Sequence, residues 1–310
     1  MNTVYKSTGI SKQAFHQKMD RVLRIRSEQQ QLLVIIYQIR EDHPTMGIRD
    51  MYYKLSPVNI GRDAFEEFCR SCGLSYKRVK NNKRTTDSSG VIRFDNLFKD
   101  LEISSINQAW QSDITYFEVS GRFYYLTFII DAYSRRILGY STSRSLITED
   151  TTLPALKMAI KTRKKSAMQV EGVIFHSDGG GQYYDKEFLR LTEKEGIVNS
   201  MCEYAWENGI AERLNGVVKN NYLKHRRIES FSQLVKEVDR TVQLYNYEKP
   251  HIKLERKTPN DFEKQYICNG QQSDDDKSAT ESNPQSVKQS AFQAEDNNPS
   301  ESNIAIELKI

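Results

Sequence analysis

The chain has 310 residues, of which 38% are hydrophobic and 10% aromatic, enough to bury a substantial core and to form more than one domain. Its longest apolar run, FYYLTFII (123–130), is too short to cross a bilayer, no secretory leader is legible, and four irregularly spaced cysteines make no disulfide framework, which points to the cytoplasm. Net charge is +4 but unevenly spread: residues 271–310 hold eight acids against three lysines, which leaves 42 basic against 33 acidic residues in 1–270, a balance that favours a polyanionic partner.

Residues 1–27 are taken as an N-terminal extension, with helical character from about residue 10 and a helical domain over 28–74. EQQQLLVIIYQIRED (28–42) carries Leu32, Leu33, Ile35, Ile36 and Ile39, a spacing that gives one wide apolar face. GIRDMYYKL (47–55) and GRDAFEEFCRSC (61–72) predict two short helices across the turn SPVNI, with Gly73 where a helix end needs it. Two short helices across a tight turn fit a helix-turn-helix, and a plain three-helix bundle fits equally. Glu66 and Glu67 favour the bundle, because acids there repel phosphate. Cys69 and Cys72 form a Cys-x-x-Cys with no second pair, and are read as unligated thiols on a helix. Residues 75–104 are a linker whose first part, SYKRVKNNKRTTDSSG, is polar and basic.

From about 105 the pattern changes to strands. AWQSDITYFEV (109–119), RFYYLTFIIDA (122–132) and RILGYSTS (136–143) are rich in aromatic and β-branched residues, and Ser120-Gly121 marks a tight turn between the first two. A helix (148–162), a short strand GVIF (172–175), a helix (185–195), a strand (196–201), a long helix (208–225) and a helical region (229–266) follow. The order predicts an α/β core over 105–267, a mixed sheet flanked by helices. Residues 268–310 are low in apolar side chains and read as a disordered polar, acidic tail. Trp110 and Tyr116 are expected in the core.

Three acids stand out as a set. Asp113 lies inside an apolar strand, where a lone carboxylate is costly. Asp178 follows a strand in FHSDGGGQYYD, and Glu212 falls early in NGIAERLNGVVKNNYLKHRR. Singly, each has an ordinary reading as a turn residue or an exposed helix residue. Together, from a strand, a strand end and a helix, they offer the oxygen ligands that Mg²⁺ prefers; Mn²⁺ can substitute, and two ions suit phosphoryl transfer. The glycines match neither phosphate-cradling pattern, so their role is to present Asp178. Lys219, two helical turns after Glu212, can hold a DNA phosphate, with Asn215 between them and Arg213 beside Glu212 as further DNA-contacting candidates. His176 can orient Asp178 or touch DNA, and a histidine hydrogen-bonded for structure fits equally. Asp131, the rival acid, is read as fixing a turn.

WQSDITYF, IIDAYSRRILGY, HSDGGGQYYDKEF and ENGIAERLNGVVKNNYL resemble the catalytic core of bacterial insertion-sequence transposases, the integrase-like DDE recombinases, in the type encoded by a second, catalytic reading frame. YNYEKPH with a downstream TP resembles that family's C-terminal Tyr-Asn-x-x-Arg-Pro-His segment. The resemblance implies a ribonuclease-H-like core preceded by a helix-turn-helix-like domain, with Asp113, Asp178 and Glu212 as the catalytic and metal-binding triad. It implies an enzyme in which water cuts one strand of an insertion sequence, and the freed 3′-hydroxyl attacks target DNA directly. Implied partners are the element's terminal inverted repeats, target DNA, further copies of the chain and a DNA-binding protein from an upstream frame. The implied setting is the bacterial nucleoid, with no membrane. The Asp178–Glu212 interval is shorter than the family's usual one, implying a trimmed loop near 202–206. Glu207-Asn208 stands for Asp-Asn, and Lys249 for arginine. The alternatives are a transposition regulator with an inactive core and a ribonuclease-H-type nuclease.

Overall fold

A computed structural model of the chain describes residues 9, 11–76 and 94–268. Most of the basic linker, nearly all of the acidic tail and the first eight residues lie outside the described residues. The described residues up to Gln265 form one compact unit, to which the elements below belong.

Helix α1 (Lys12–Asp42) begins at Ser11, whose Oγ accepts from Ala14 N at 3.1 Å. It runs unbroken through residues 27 and 28, where the sequence reading starts the helical domain. Its apolar face becomes buried only at Ile36 and Ile39. There it meets α2 (Ile48–Leu55) and α3 (Arg62–Ser71) in a small core with Met51, Phe65 and Cys69. Glu66, expected to repel phosphate, is instead 6% exposed and neutralised, with Arg49 at 2.8 Å and Arg70 at 2.6 Å. Cys69 is buried, which pushes its thiol up to about 11, while Cys72 is exposed at the helix end.

The sheet is built from β1 (Ala109–Val119), β2 (Arg122–Asp131), β3 (Ile137–Ser143), β4 (Ile174–Ser177) and β5 (Val198–Met201), in the order β3-β2-β1-β4-β5. The first three pair antiparallel, and β4 and β5 add on in parallel. Ser120 (φ 51°) and Gly121 (φ 76°) make the β1–β2 turn with Val119 opposite Arg122, as the two-residue spacing requires. Asp131 at the end of β2 is fully buried and fixes the next turn: its carboxylate accepts from Tyr133 N, Ser134 N and Arg163 at 2.8–2.9 Å.

Period-two alternation then sends neighbouring residues to opposite faces. Ile129 and Leu138 face α4 (Thr152–Lys165) and α5 (Lys186–Lys194), in a core with Trp110, Phe175 and Phe188. Phe128, Ile130 and Ile137 face α6 (Gly209–Val217) and α7 (Phe231–Tyr247), in a core with Leu214, Val218, Leu234 and Val238. Gly139 lets β3 lie directly on α4, since a Cβ there would collide with the Ala155 carbonyl oxygen. Segment 94–98 covers the β5 edge: Leu97 N donates to Ser200 Oγ at 2.9 Å, and Ser200 Oγ donates to Asp95 O at 3.2 Å.

The long helix expected over 208–225 is broken. It is α-helical through Val217, loosens into a π-turn over Val218–Tyr222 and tightens over Leu223–His225. In YNYEKPH, Asn246 does structural work. Its Oδ1 accepts from Ile137 N and its Nδ2 donates to Ile137 O, both at 2.9 Å, where the β2–β3 register shifts.

Candidate active site

The parallel pairing of β1 and β4 sets Ser112 opposite Ser177. One residue further along both chains stand Asp113 and Asp178, so two carboxylates share neighbouring positions where β4 ends, on strands that in general run about 4.8 Å apart. Asp178 is held by the backbone: Gly180 N donates to its Oδ1 at 3.1 Å. None of the three glycines has a positive φ. They are needed for closeness, because a Cβ on Gly179 would run into the Met201 side chain and one on Gly180 would press on the Asp178 carboxylate. Tyr183 then folds back under β1, fully buried, with its hydroxyl 2.9 Å from Ser112 Oγ, and Asp185 caps α5 by accepting from Glu187 N.

The helix carrying Glu212 is started from β1. Gln111, 2% exposed, points its Oε1 at the helix and accepts from Ile210 N at 3.1 Å and Ala211 N at 3.3 Å. Asn208 Nδ2 donates to Ser112 O at 2.8 Å. The two Gln111 bonds satisfy N–H groups that a helix start leaves unpaired, and with the Asn208 bond they fix the helix to β1 beside Asp113.

Electrostatics follows from the crowding. Burial, then the charges of Asp178 and Glu212, push the Asp113 carboxyl up to about 7, against the hydrogen bond from Asn215. Burial raises Asp178, and burial with Asp178 raises Glu212. Among the described residues, no three His, Cys, Asp or Glu side chains are gathered closely enough to hold an ion as they stand. The acids nevertheless destabilise one another's charged forms, and a hard divalent cation is the counter-charge such a donor set fits.

Two family profiles, each described as Integrase core domain, match residues 104–205 and 197–259, and so take in both aspartates and Glu212. The chain belongs to the integrase-core family of insertion-sequence transposases. It is 26% identical over 229 residues to an insertion element IS600 uncharacterized 31 kDa protein of Shigella sonnei, covering 72% of this chain and 82% of that protein. It is 25% identical over 233 residues to the transposase for insertion sequence element IS629 of Shigella sonnei, covering 74% and 77%. Among solved structures, the HTLV-2 integrase catalytic core domain in complex with magnesium aligns at a TM-score of 0.39 and 19% identity, over 49% of this chain and 93% of that one.

Within this integrase-core chain the remaining sequence candidates divide. Lys219 lies on the acid side: its Nζ donates to Thr115 Oγ1 at 2.5 Å and sits 5.3 Å from the Tyr116 ring centroid. Burial lowers its pKa while Asp113 pulls it up. Arg213 is exposed beside Glu212 in sequence, and its charge acts on Arg135, Tyr245 and His251. Asn215 is no surface group for DNA: 4% exposed, it spends Nδ2 on Asp113 Oδ2 at 2.8 Å and so orients that carboxylate. His176 corrects the expectation most plainly. It is fully buried, pushed down to about 4 by burial, bonded to Ser200 Oγ at 2.9 Å and stacked on Phe98 at 4.2 Å, so it neither reaches DNA nor orients Asp178. Tyr116, expected in the core, is 46% exposed. Gln111, Ser112, Tyr183 and Asn208 were missed. Their signal was a polar or hydroxyl-bearing side chain beside each acid, which the sequence does not distinguish from strand and loop polarity.

Proposed function

We propose that the chain cuts DNA at the ends of its own insertion sequence and joins those ends to target DNA, with Asp113, Asp178 and Glu212 as the groups that work on the scissile phosphate. The observation that carries this reading is the register of β1 against β4, which sets the two aspartates side by side while Gln111 starts the Glu212 helix next to them.

In the cutting reaction a water oxygen forms a bond to phosphorus, and the bond from phosphorus to the 3′-oxygen breaks. The products are a 3′-hydroxyl and a 5′-phosphate. In joining, that 3′-hydroxyl oxygen bonds to a target phosphorus and the target 3′-oxygen leaves, so one phosphodiester replaces another and no outside energy source is needed. Divalent cations, Mg²⁺ or Mn²⁺ and two in number, would be held by Asp113, Asp178 and Glu212 and would neutralise charge on the phosphate and its entering and leaving oxygens. The chain's own part is positioning. Asn215 and Gly180 N–H hold the two aspartates, Gln111 and Asn208 set the third acid, and Lys219 and Arg213 supply positive charge for the DNA backbone. Joining two ends requires further copies of the chain, and an upstream-frame protein is a partner of the same kind. The setting is the nucleoid, and no helix among the described residues is long and apolar enough to cross a membrane.

The experiment is strand transfer on labelled duplexes bearing the element's terminal repeats, with wild type beside Asp178→Asn. Loss of joining by about a thousandfold or more is expected, with folding unchanged. A substituted protein that folds normally and joins DNA as fast as wild type refutes the reading.

A further inference from the structure

The turn between β5 and α6 carries two large aromatic side chains that the fold leaves outside. Tyr204 and Trp206 are 52% and 67% exposed, and their rings lie face to face, 4.4 Å between centroids and 5° from parallel. Neither packs into the two cores of the sheet. Apolar surface left to water in this way gives up the stabilisation that burial would bring, and an exposed apolar patch marks a contact site more often than an accident.

The backbone beneath the pair is tied down. The Glu207 carboxylate accepts from Glu203 N at 2.8 Å and Tyr204 N at 2.9 Å, and Glu207 N donates to Tyr204 O at 3.0 Å. One foot of the turn is Cys202, whose N–H donates to Ser177 O at 3.0 Å; the other is Asn208, whose Nδ2 donates to Ser112 O at 2.8 Å. Ser177 and Ser112 are the residues immediately before Asp178 and Asp113. The aromatic pair therefore stands on a short bridge footed beside both aspartates, with Glu212 one helical turn beyond. Exposed flat rings on an anchored backbone are preorganised, because little ordering is left to be done on binding.

We propose that Tyr204 and Trp206 form a stacking platform for an unpaired DNA base next to the phosphate held at Asp113 and Asp178. This rests on the DNA-processing reading above and narrows it: the strand presents at least one base outside its helix as it enters the site. The ligand is frayed or single-stranded DNA, and the platform is tolerant of base identity because every base offers a π-face.

The test is a binding measurement in chelator, where no chemistry occurs. Trp110 is buried, so quenching of tryptophan emission by a short oligo-dT reports Trp206. Oligo-dT is expected to quench wild type to saturation, and Trp206→Ala to bind a labelled oligo-dT about tenfold or more weakly. Trp206→Phe is expected to keep most of the affinity. Because Trp206 is exposed, the melting temperature stays put. Equal oligo-dT affinity in wild type and Trp206→Ala overturns the platform. So does a changed oligomeric state with DNA affinity unmoved, which would give the pair to a second copy of the chain. If Asp178→Asn joins DNA normally, the proposed chemistry falls while a binding loss in Trp206→Ala still stands. If only Trp206→Ala is silent, the platform alone falls.

Discussion

Gln111→Leu is the sharpest test of how the site is assembled. The substitution keeps side-chain volume in a position 2% exposed but removes the oxygen that accepts from Ile210 N and Ala211 N. Ala211 is buried, so its N–H is left without a partner, at a cost of about 1–3 kcal/mol. Ile210 is half-buried and can turn to water, adding little, while the leucine recovers some apolar burial. The net expectation is a loss of about 2 kcal/mol, which in a unit of this size lowers Tm by about 4–8 °C. Catalysis should suffer more than stability. Glu212 is the fourth residue after Asn208, in the first turn of the helix, and freeing the helix start displaces its carboxylate; a shift of about 1 Å costs about a hundredfold in rate. Strand transfer under saturating DNA should therefore show kcat reduced by about a hundredfold with KM little changed, alongside a thermal melt. A Gln111→Leu protein with wild-type Tm and a kcat within about a factor of two would show that β1 does not place the Glu212 helix, and the assembly described here would be wrong.

Two further outcomes follow from the same structure. Asp113 is raised to about 7 in the folded chain, so the native state binds its proton more tightly than the unfolded state; stability then falls as pH rises from about 4 to about 7 and stays low above. Asp113→Asn should consequently raise the unfolding free energy at pH 8 in chelator, by at most about 4 kcal/mol, and give no gain near pH 4; a gain that ignores pH would contradict this. Gly139→Ala should destabilise by about 3 kcal/mol or more, or yield insoluble protein, because its Cβ would meet the Ala155 carbonyl rather than a movable side chain; a wild-type melt in soluble Gly139→Ala would show that α4 does not lie so close to β3.

Much of the chemistry was legible from residue identity. Strand character, the Ser120-Gly121 turn, the two short helices and the three acids follow from local propensity and from the cost of isolated carboxylates in apolar surroundings. These are properties that a residue carries with its neighbours. His176 shows where that reasoning stops: nearness to Asp178 made it a site candidate, but Ser200 on the neighbouring strand and Phe98 from segment 94–98 close over it and bury it completely. Asn215 and Gln111 show the converse. Each is an unremarkable amide in sequence, and each becomes a holder of an acid because a strand and a helix about a hundred residues apart are brought together.

The sequence by itself determined which elements form and which acids are available, because helical and strand periodicity and the penalty on lone charges act over a few residues. Only the tertiary structure decided that Asp113 and Asp178 are neighbours, that Gln111 starts the Glu212 helix and that Tyr204 and Trp206 stand exposed on a turn anchored beside the aspartates. Those facts depend on strand order and register, which are set by burial across the whole sheet.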